Sequence, residues 1–150
     1  MSTPMRSLLA SHEAYKKHAR EGLKKYKLKA RQPKIMYYIY THAGCQQKDI
    51  AENCYVETAT LSSVLRNLEK RNLIERRSLS TDKRAYSIFP KKEAREIFEA
   101  VKEQFESTTR AALSDFSEKE AKEFIAYLIR VEHNLRKDKH IQERISNDIA

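Results

Sequence analysis

Residues 46–88 decide the fold, and they read QQKDIAENCYVETATLSSVLRNLEKRNLIERRSLSTDKRAYSI. An amphipathic pattern predicts a short helix over residues 46–53, and residues 53–56 form the turn after it. Residues 58–71 predict a second helix, because their apolar side chains recur at three- and four-residue steps and share one face. Those side chains are Leu61, Val64, Leu65 and Leu68. The pattern therefore predicts helix, turn and helix, which simple packing of two short helices would also produce.

The next segment predicts an antiparallel hairpin. Residues 73–78 and 85–89 are rich in β-branched and aromatic residues at roughly alternating positions, as strands are. The largely polar residues 79–84 contain no Gly, so we expect a loop longer than a tight two-residue turn. A basic β-hairpin directly after a helix-turn-helix is the winged-helix arrangement.

Helices are predicted on both sides of this segment. Residues 7–29 have an amphipathic pattern with a strongly basic outer face. Pro33 suits the first turn of a helix that stops at Gly44. After Pro90 an apolar stripe continues as one long helix, and a Ser-x-x-Glu capping box at residues 117–120 opens a last helix with a wide apolar face. We therefore expect a mostly α fold with a small β-hairpin wing, and a single domain over residues 1–150.

The composition is basic and poor in turn residues. The 30 Lys and Arg against 21 Asp and Glu give a formal charge of +9, which favours a polyanionic partner such as nucleic acid, or simply a well-solvated surface. No apolar run reaches the ~18 residues of a membrane span, and the N-terminus has no signal-peptide core. With only 2 Cys, a disulfide framework is excluded, and we expect a cytoplasmic protein without membrane contact.

The sequence lacks the patterns of an enzyme or a cofactor site. It contains no GxGxxG or GxxxxGK[ST] phosphate cradle, and no nucleophile or acid–base pair at a useful spacing. The 5 His show no metal-ligand spacing. We therefore expect no catalytic activity, no cofactor and no metal.

Residues 46–88 resemble the multiple-antibiotic-resistance regulator (MarR) family of transcription factors. The matching pieces are QQKDIA at residues 46–51, TATLSSVLRNLEK at 58–70, LIER at 73–76, and the wing signature Asp82-Lys83-Arg84. The order of the predicted helices and wing fits the family over almost the whole chain. The resemblance implies a winged helix-turn-helix with a DNA-binding lobe over residues 33–90. It also implies N- and C-terminal dimerisation helices over residues 1–32 and 91–150.

Two positions depart from the family pattern. The Gly that often separates the recognition helix from the first wing strand is Asn72 here, and Asn tolerates a left-handed backbone better than other non-glycine residues. The family's Leu-Thr-x-x-Gly entry to the helix after the wing reads FPKKE at residues 89–93, where Pro90 can still open a helix. We expect both local structures to be retained.

The resemblance makes residues 58–71 the recognition helix. The stripe opposite its buried face carries small hydroxyl and methyl groups and one cation, which suit close approach to the major groove. An ordinary exposed helix surface, with Thr58 as N-cap, is the alternative interpretation. The residues expected to contact DNA from this helix are Thr58, Ala59, Thr60, Ser62, Ser63 and Arg66.

The wing is the second expected DNA contact. Arg84 resembles the family's wing arginine, which enters the minor groove, and Asp82 resembles the acid that braces the wing through a salt bridge. The alternative is that residues 82–84 form only a polar loop tip. Further phosphate contacts are expected from Lys70, Arg76, Arg77 and Lys83.

These features predict a sequence-specific transcriptional regulator, most simply a repressor. The helical ends have more apolar surface than one small lobe can cover, so we expect a homodimer. A dimer places two recognition helices ~34–36 Å apart, about one helical turn of DNA, on a palindromic operator. The basic face of the first helix, from Lys16 to Lys27, has no assigned partner, and it either solubilises the protein or flanks the DNA.

Members of the family often respond to a small aromatic or lipophilic compound, or to an oxidant. The cleft for such an effector could be lined by His12, Tyr15, Met36, Tyr37 and Tyr40, although a Met and aromatic stripe at helical spacing is also typical of plain core. Cys45 and Cys54 flank the short third helix and could sense oxidants, but the charges around them are mixed.

Two other functions fit part of the pattern. A winged helix can bind a protein instead of DNA, and the basic wing argues against this. A sequence-nonspecific or RNA-binding protein would expose aromatic residues for stacking, whereas most Tyr and Phe here lie at core spacing.

Overall fold

The computed structural model describes residues 2–79 and 82–137, and for residues 79 and 82–84 it describes the backbone alone. The chain divides into two compact units, Met1–Arg110 and Ala111–Ala150. The helices are α1 (Thr3–Glu21), α2 (Gln32–Thr41), α3 (Gln47–Cys54), α4 (Thr58–Lys70), α5 (Arg95–Ala112) and α6 (Glu118–Lys137), with 3-10 turns at Lys24–Tyr26 and Lys92–Ala94. The strands are β1 (Ile74–Leu79) and β2 (Asp82–Pro90), so the predicted helical fold with a two-stranded wing is confirmed.

The core of the first unit is built around the apolar stripe of α4. Leu61, Leu65 and Leu68 are fully buried, and Val64 at the edge of the stripe is half-buried. They share one cluster with side chains of α2, α3, α5 and the hairpin, among them Ile35, Met36, Ile39, Ile50, Ile74, Ile88, Phe98 and Val101. The three-and-four spacing thus has the physical result expected of it, since one face of α4 is removed from water.

The hairpin is antiparallel and is extended by a third short piece of chain. Ile74 pairs with Pro90 and Ser78 with Tyr86, and a bulge separates Ser78 from Leu79. The backbone N–H of Gly44 donates to the carbonyl of Ile88 at 2.8 Å, and the Ile88 N–H donates to the Cys45 carbonyl at 2.9 Å. These bonds attach the inner strand of the wing to the end of α2, which supports the wing at its base.

The hairpin strands run farther toward the tip than the sequence predicted. The loop was expected over residues 79–84, whereas β1 ends at Leu79 and β2 begins at Asp82. Two residues therefore separate the strands, and the prediction of a long connection is wrong. Polar residues lowered the strand signal at the tip, but backbone pairing does not require apolar side chains where both faces of a ribbon are solvated.

The first predicted helix is also shorter than expected. α1 ends at Glu21 instead of continuing to residue 29, and a 3-10 turn and Lys27 at φ 52° follow it. At Gly22 a Cβ atom would overlap the side-chain amide of Gln104, whose Nε2 donates to the His18 carbonyl at 3.0 Å. Gln104 of α5 therefore packs closely against the end of α1, and a larger residue at position 22 would displace its flexible side chain.

The second unit contains α6, whose start is fixed by the predicted capping box. The Ser117 N–H donates to Oε2 of Glu120 at 2.8 Å, and the Glu120 N–H donates to Oγ of Ser117 at 3.2 Å. No residue of α6 is buried. Large apolar side chains that remain exposed along it include Ile125, Leu128, Ile129 and Leu135. This helix therefore has an apolar face that the described part of its own chain does not cover.

Asn72 connects α4 to β1 and has φ 60°, so the left-handed conformation expected there is confirmed. Its Oδ1 accepts a hydrogen bond from Nζ of Lys91 at 2.7 Å. Position 72 thus requires a residue that tolerates positive φ and a side chain that accepts the hydrogen bond from Lys91. Substitutions can test these two requirements separately.

We predict that Asn72→Val destabilises the protein by at least ~1 kcal/mol more than Asn72→Gly does, because a β-branched residue is strained at positive φ. Both variants lose the hydrogen bond from Lys91, so their difference isolates the backbone effect. Urea unfolding followed by circular dichroism measures it. Equal midpoints at equal slopes for the two variants would show that the left-handed conformation costs nothing there.

Candidate nucleic-acid interface

The outward face of α4 is the centre of the candidate interface. Thr58, Ala59, Ser63 and Arg66 are exposed, while Thr60 and Ser62 are half-buried. Because Leu61, Leu65 and Leu68 hold the opposite face in the core, the helix cannot rotate without exposing them. Four of the six residues predicted on this helix are therefore exposed on its outward side, and the half-buried Thr60 and Ser62 lie at the edges of the stripe, with Ser62 toward α3.

Ser62 has a structural partner on each side. Its Oγ accepts a hydrogen bond from Nε2 of Gln47 at 2.6 Å and donates to the Thr58 carbonyl at 3.0 Å. These bonds connect α3 to α4 within the helix-turn-helix. Sequence reasoning missed Gln47, because a half-buried polar residue in the first turn of α3 has no periodic signal of its own.

The other edge of α4 is fixed by a buried amide pair. Gln32 is 1% exposed, and its Nε2 donates to Oδ1 of Asn67 at 2.7 Å. The Gln32 Oε1 accepts a hydrogen bond from the Lys29 N–H at 2.9 Å. A buried amide with both ends paired stabilises one orientation of its neighbours, since breaking either bond leaves an unsatisfied polar group. Gln32 therefore positions both α4 and the chain before α2.

The two arginines predicted as phosphate contacts on β1 lie on opposite faces of the hairpin. Arg76 is half-buried on the face toward α4, with its Nε 2.8 Å from Oε1 of Glu69. Arg77 points to the other face, where it pairs with Glu75 at 2.6 Å and lies 4.1 Å from the centre of the Phe89 ring. The strand alternation that separates them was readable in the sequence, because adjacent residues of a strand face opposite ways.

The predicted tip residues Asp82, Lys83 and Arg84 belong to β2 by their backbone. Their side chains lie outside the described residues, and the predicted contacts of Asp82 and Arg84 stay predictions. What the structure fixes is the ribbon that carries them, through the register from Ile74 opposite Pro90 to Leu79 opposite Asp82.

A separate cavity of about 780 Å³ lies in the first unit, between side chains of α1, α2, α3 and α5. Two of the five predicted effector residues, Tyr15 and Tyr37, line it, together with Tyr38, Tyr55 and Phe105. The other three predicted residues lie elsewhere. Met36 is fully buried in the core, Tyr40 stacks on Phe98 with ring centres 5.6 Å apart, and His12 is exposed on α1.

Met36, Tyr40 and His12 therefore do not line this cavity, and the predicted effector contacts of the five residues stay predictions. Residues three or four apart share a helix face, and Met36 and Tyr40 accordingly share the side of α2 that packs into the core. Tyr37 and Tyr38 lie on the side that faces the cavity. The aromatic run of α2 is long enough to supply both sides, so spacing alone did not separate them.

Both cysteines are poor candidates for an oxidant sensor. Burial, with a smaller contribution from nearby Asp49, raises the pKa of the Cys45 thiol to about 11. Burial also raises the pKa of Cys54, although Lys34 opposes it. Because the thiolate is the reactive form, raised pKa values keep both groups protonated and slow to oxidise near neutral pH.

Two further properties of the described residues bear on function. Within residues 2–79 and 82–137, no helix has the length and apolar composition of a membrane span. The same part of the chain has no group of three or more His, Cys, Asp or Glu arranged to hold a metal ion.

Comparison with known sequences identifies similar proteins. Residues 28–86 match the MarR family. Over 100 residues, which are 67% of this chain and 67% of the other, the sequence is 27% identical to the uncharacterized HTH-type transcriptional regulator YybA of Bacillus subtilis (strain 168). The family match spans α2, α3, α4, β1 and the first part of β2, which include the elements of the candidate interface.

Two solved structures show how far the similarity extends. A MarR family transcriptional regulator from Listeria monocytogenes, crystallised with 26mer DNA, superposes with a TM-score of 0.83 at 21% identity over 96% of each chain. The S. aureus MepR–DNA complex has a TM-score of 0.77 at 27% identity, over 89% of this chain and 98% of that one. The likeness therefore covers the helices at both ends as well as the winged helix.

We predict that alkylation of Cys45 by iodoacetamide accelerates continuously between pH 7 and 10, because its thiol pKa is raised to about 11. A Cys54→Ala variant isolates this thiol, and the same chain unfolded in guanidinium is the control, with a thiol pKa of about 8.5. Mass spectrometry of the adduct gives the rate at each pH. A rate that levels off below pH 9 in the folded protein would contradict the protonated, unreactive thiol.

Proposed function

We propose that the chain is a transcriptional regulator of the MarR family, whose model matches residues 28–86, and that it binds double-stranded DNA of defined sequence. In the proposal it acts as a repressor in the cytoplasm and binds a palindromic operator as a homodimer. The family and fold are those of transcriptional regulators. The observation that carries the proposal is the outward stripe of α4, which is held by a buried stripe and by polar partners at both edges.

The α4 stripe has the chemistry that major-groove contact requires. Small side chains at Ala59 and Ser63 let the helix backbone approach the base edges. The Thr58 and Ser63 hydroxyls can donate to or accept from bases, and a guanidinium such as Arg66 can bind guanine or a phosphate. The positions nearest the N-terminus of a recognition helix reach deepest into the groove, which here are Thr58, Ala59 and Thr60.

The hairpin supplies the second proposed contact. Its tip residues Asp82, Lys83 and Arg84 would reach the minor groove beside the half-site that α4 reads, with Arg84 as the inserted cation. The ladder to Gly44 and Cys45 and the ion pair between Arg76 and Glu69 support the base of this ribbon. In this proposal Arg76 acts chiefly by bracing α4 to β1, and Arg77, on the opposite face, is the weakest of the predicted DNA contacts.

A homodimer is supported by apolar surface that one chain leaves exposed. Met5, Leu8 and Leu9 of α1 are 47–51% exposed, and in α6 Ile129 is 59% exposed. Helices that each expose several large apolar side chains are typical of obligate interfaces between subunits. We therefore divide the chain into a DNA-binding lobe, residues 33–90, and dimerisation helices before and after it.

An effector site is proposed for the cavity lined by Tyr15, Tyr37 and Phe105. Its volume of about 780 Å³ matches a small organic ligand, and its wall combines aromatic rings with a few polar groups, as ligand sites do. The occupant we propose is a small aromatic or lipophilic compound. The cavity is connected to the interface through α2, which has Tyr37 at the cavity and Gln32 at α4.

We predict that selection from a random duplex library yields a motif with two-fold symmetry, and that Arg84→Ala weakens binding to it by more than ~1 kcal/mol without unfolding the chain. Fluorescence anisotropy at fixed salt measures the affinity. Lys102→Ala is the matched control, since Lys102 is a cation of α5 that pairs with Glu106 at 3.6 Å.

The two measurements separate the alternatives. A featureless selection profile would replace the regulator with a nonspecific nucleic-acid binder, and no binding even at low salt would favour a protein-interaction module. Equal affinities of Arg84→Ala and wild type would remove the wing arginine from the mechanism while leaving α4 in place.

We predict that the protein is a dimer at micromolar concentration in multi-angle light scattering, and that Ile125→Glu with Ile129→Glu makes it monomeric. Two carboxylates in an apolar interface would each lose hydration without a partner. The control is Lys119→Glu, a charge change on the same helix at a side chain 84% exposed. A wild-type monomer, or a double variant that remains dimeric, would exclude α6 as the interface.

A further inference from the structure

The chain between α1 and α2 carries the most concentrated positive charge that the structure describes. Residues 24–31 contain five cations and no acid, and we call them the basic segment: Lys24, Lys25, Lys27, Lys29 and Arg31. All five are exposed. Lys24 pairs with Glu21 of α1 at 3.0 Å, which leaves most of this charge without a neighbouring acid in the sequence. Cations this close together repel one another. An anion that binds beside them relieves this repulsion, so the segment attracts anions.

The basic segment is held against α4 by three hydrogen bonds. The Lys29 N–H donates to Oε1 of Gln32, and Nε2 of Gln32 donates to Asn67 in α4. On the other side, Nη2 of Arg71 donates to the Tyr26 carbonyl at 3.1 Å. These bonds anchor the backbone of the segment at two points along the recognition helix. Its cations are therefore presented in a defined place beside the DNA-facing stripe.

Between the basic segment and α4 lies an open groove of about 670 Å³. Four cations line it, two from each side: Lys29 and Arg31 from the segment, and Arg66 and Lys70 from α4. No carboxylate is among the described residues of its lining. The single acid of α4, Glu69, pairs instead with Arg76 of the hairpin. We call this the basic groove.

The basic groove is continuous with the stripe proposed to read DNA, since Thr60, Ser63 and Arg66 line it as well. An anion that enters the groove therefore lies next to whatever α4 contacts. When a recognition helix is in the major groove, the phosphates of the flanking strand pass along its sides. A sugar–phosphate backbone is thus the anion that the geometry brings to these four cations.

We propose that the basic segment and the basic groove bind the phosphate backbone of the DNA on the side of α4 away from the wing. This inference rests on the proposed function and extends it. The contacts add affinity and steepen its dependence on salt, but they do not read sequence, because phosphates are the same at every step. In this proposal the phosphate backbone is the partner of the basic segment, and α4 has DNA contacts on both sides.

The test compares a double variant of the segment, Lys29→Ala with Arg31→Ala, with a control that removes two cations of α5, Arg95→Ala with Lys102→Ala. Both variants lower the net charge by two. The control side chains pair with Glu99 and Glu106 of their own helix. Affinity is measured by anisotropy at five salt concentrations, on the selected motif and on a random duplex of the same length. Circular dichroism melting verifies that each variant is folded.

We expect the slope of log affinity against log salt to fall by about 1.8 in the segment variant, which is about 0.9 for each lost phosphate contact. The fold loss in affinity should be the same on the motif and on the random duplex, so the specificity ratio stays unchanged. The control should keep the wild-type slope. A segment variant with the wild-type slope would overturn the inference and leave the segment as a solubilising surface.

A second measurement does not depend on the variants being stable. Phosphate ethylation interference on the wild-type complex should identify phosphates outside the half-site contacts of α4 and the wing. Absence of such phosphates in the wild-type pattern would also overturn the inference.

The outcomes distinguish this inference from the proposed function. If the wild type selects no motif but its binding to random duplex still loses slope in the segment variant, the proposed function fails and the backbone contact stands. If the wild type selects a motif and the segment variant keeps the wild-type slope, the proposed function stands and the backbone contact fails. Loss of the specificity ratio in the segment variant would show that residues 29–31 read bases or position α4, and it would contradict a phosphate contact.

Discussion

The structure depends on one constraint, which is that the thirteen residues of α4 must be buried along one stripe and free along the opposite one. Complete burial of Leu61, Leu65 and Leu68 fixes the rotation of the helix about its axis, because turning it would return about 1.5–3 kcal/mol of burial per side chain to water. The rotation fixed in this way also determines which side chains of α4 face solvent, although those side chains take no part in the core. DNA recognition needs a surface that is rigid and yet unsatisfied, and the hydrophobic core supplies the rigidity from behind.

Burial fixes the rotation of α4 about its axis but leaves the helix free to slide or tilt. Polar partners at its edges restrict these two movements. Gln47 connects Ser62 to α3, Gln32 connects Asn67 to α2, and Arg76 connects Glu69 to β1. Each contact joins α4 to a different neighbouring element. The hydrogen bonds of Gln47 and Gln32 are directional and resist the sliding that non-directional burial permits, while Arg76 and Glu69 form an ion pair without hydrogen-bond geometry. The pair formed by Gln32 also makes α2 the element that links the proposed effector cavity to the proposed DNA interface, because its other side carries Tyr37.

The sequence predicted whatever depends on local periodicity or on chemistry within a few residues. The α4 stripe, the capping box of Ser117 and Glu120 and the left-handed Asn72 were all predicted correctly. What it could not predict are relations between distant positions. The partnership of Gln32 with Asn67 spans 35 residues, and the assignment of Tyr37 to the cavity but Met36 to the core depends on what α5 covers. The contact of Gln104 with Gly22 at the end of α1 is another such relation, since it joins two different helices.

The net charge of +9 does not say where along the chain the excess cations lie. The structure shows which cations are paired with acids. Over its 18 residues, α5 has three cations and four acids, and Arg95, Lys102 and Arg110 each pair with a glutamate of the same helix. The eight residues 24–31 have five cations and no acid. Paired charges at (i, i+4) contribute a few tenths of a kcal/mol to a helix and little to the field beyond it. The excess is therefore concentrated where α4 meets the chain before α2, and a polyanion approaching this protein is attracted to that side before any base is read.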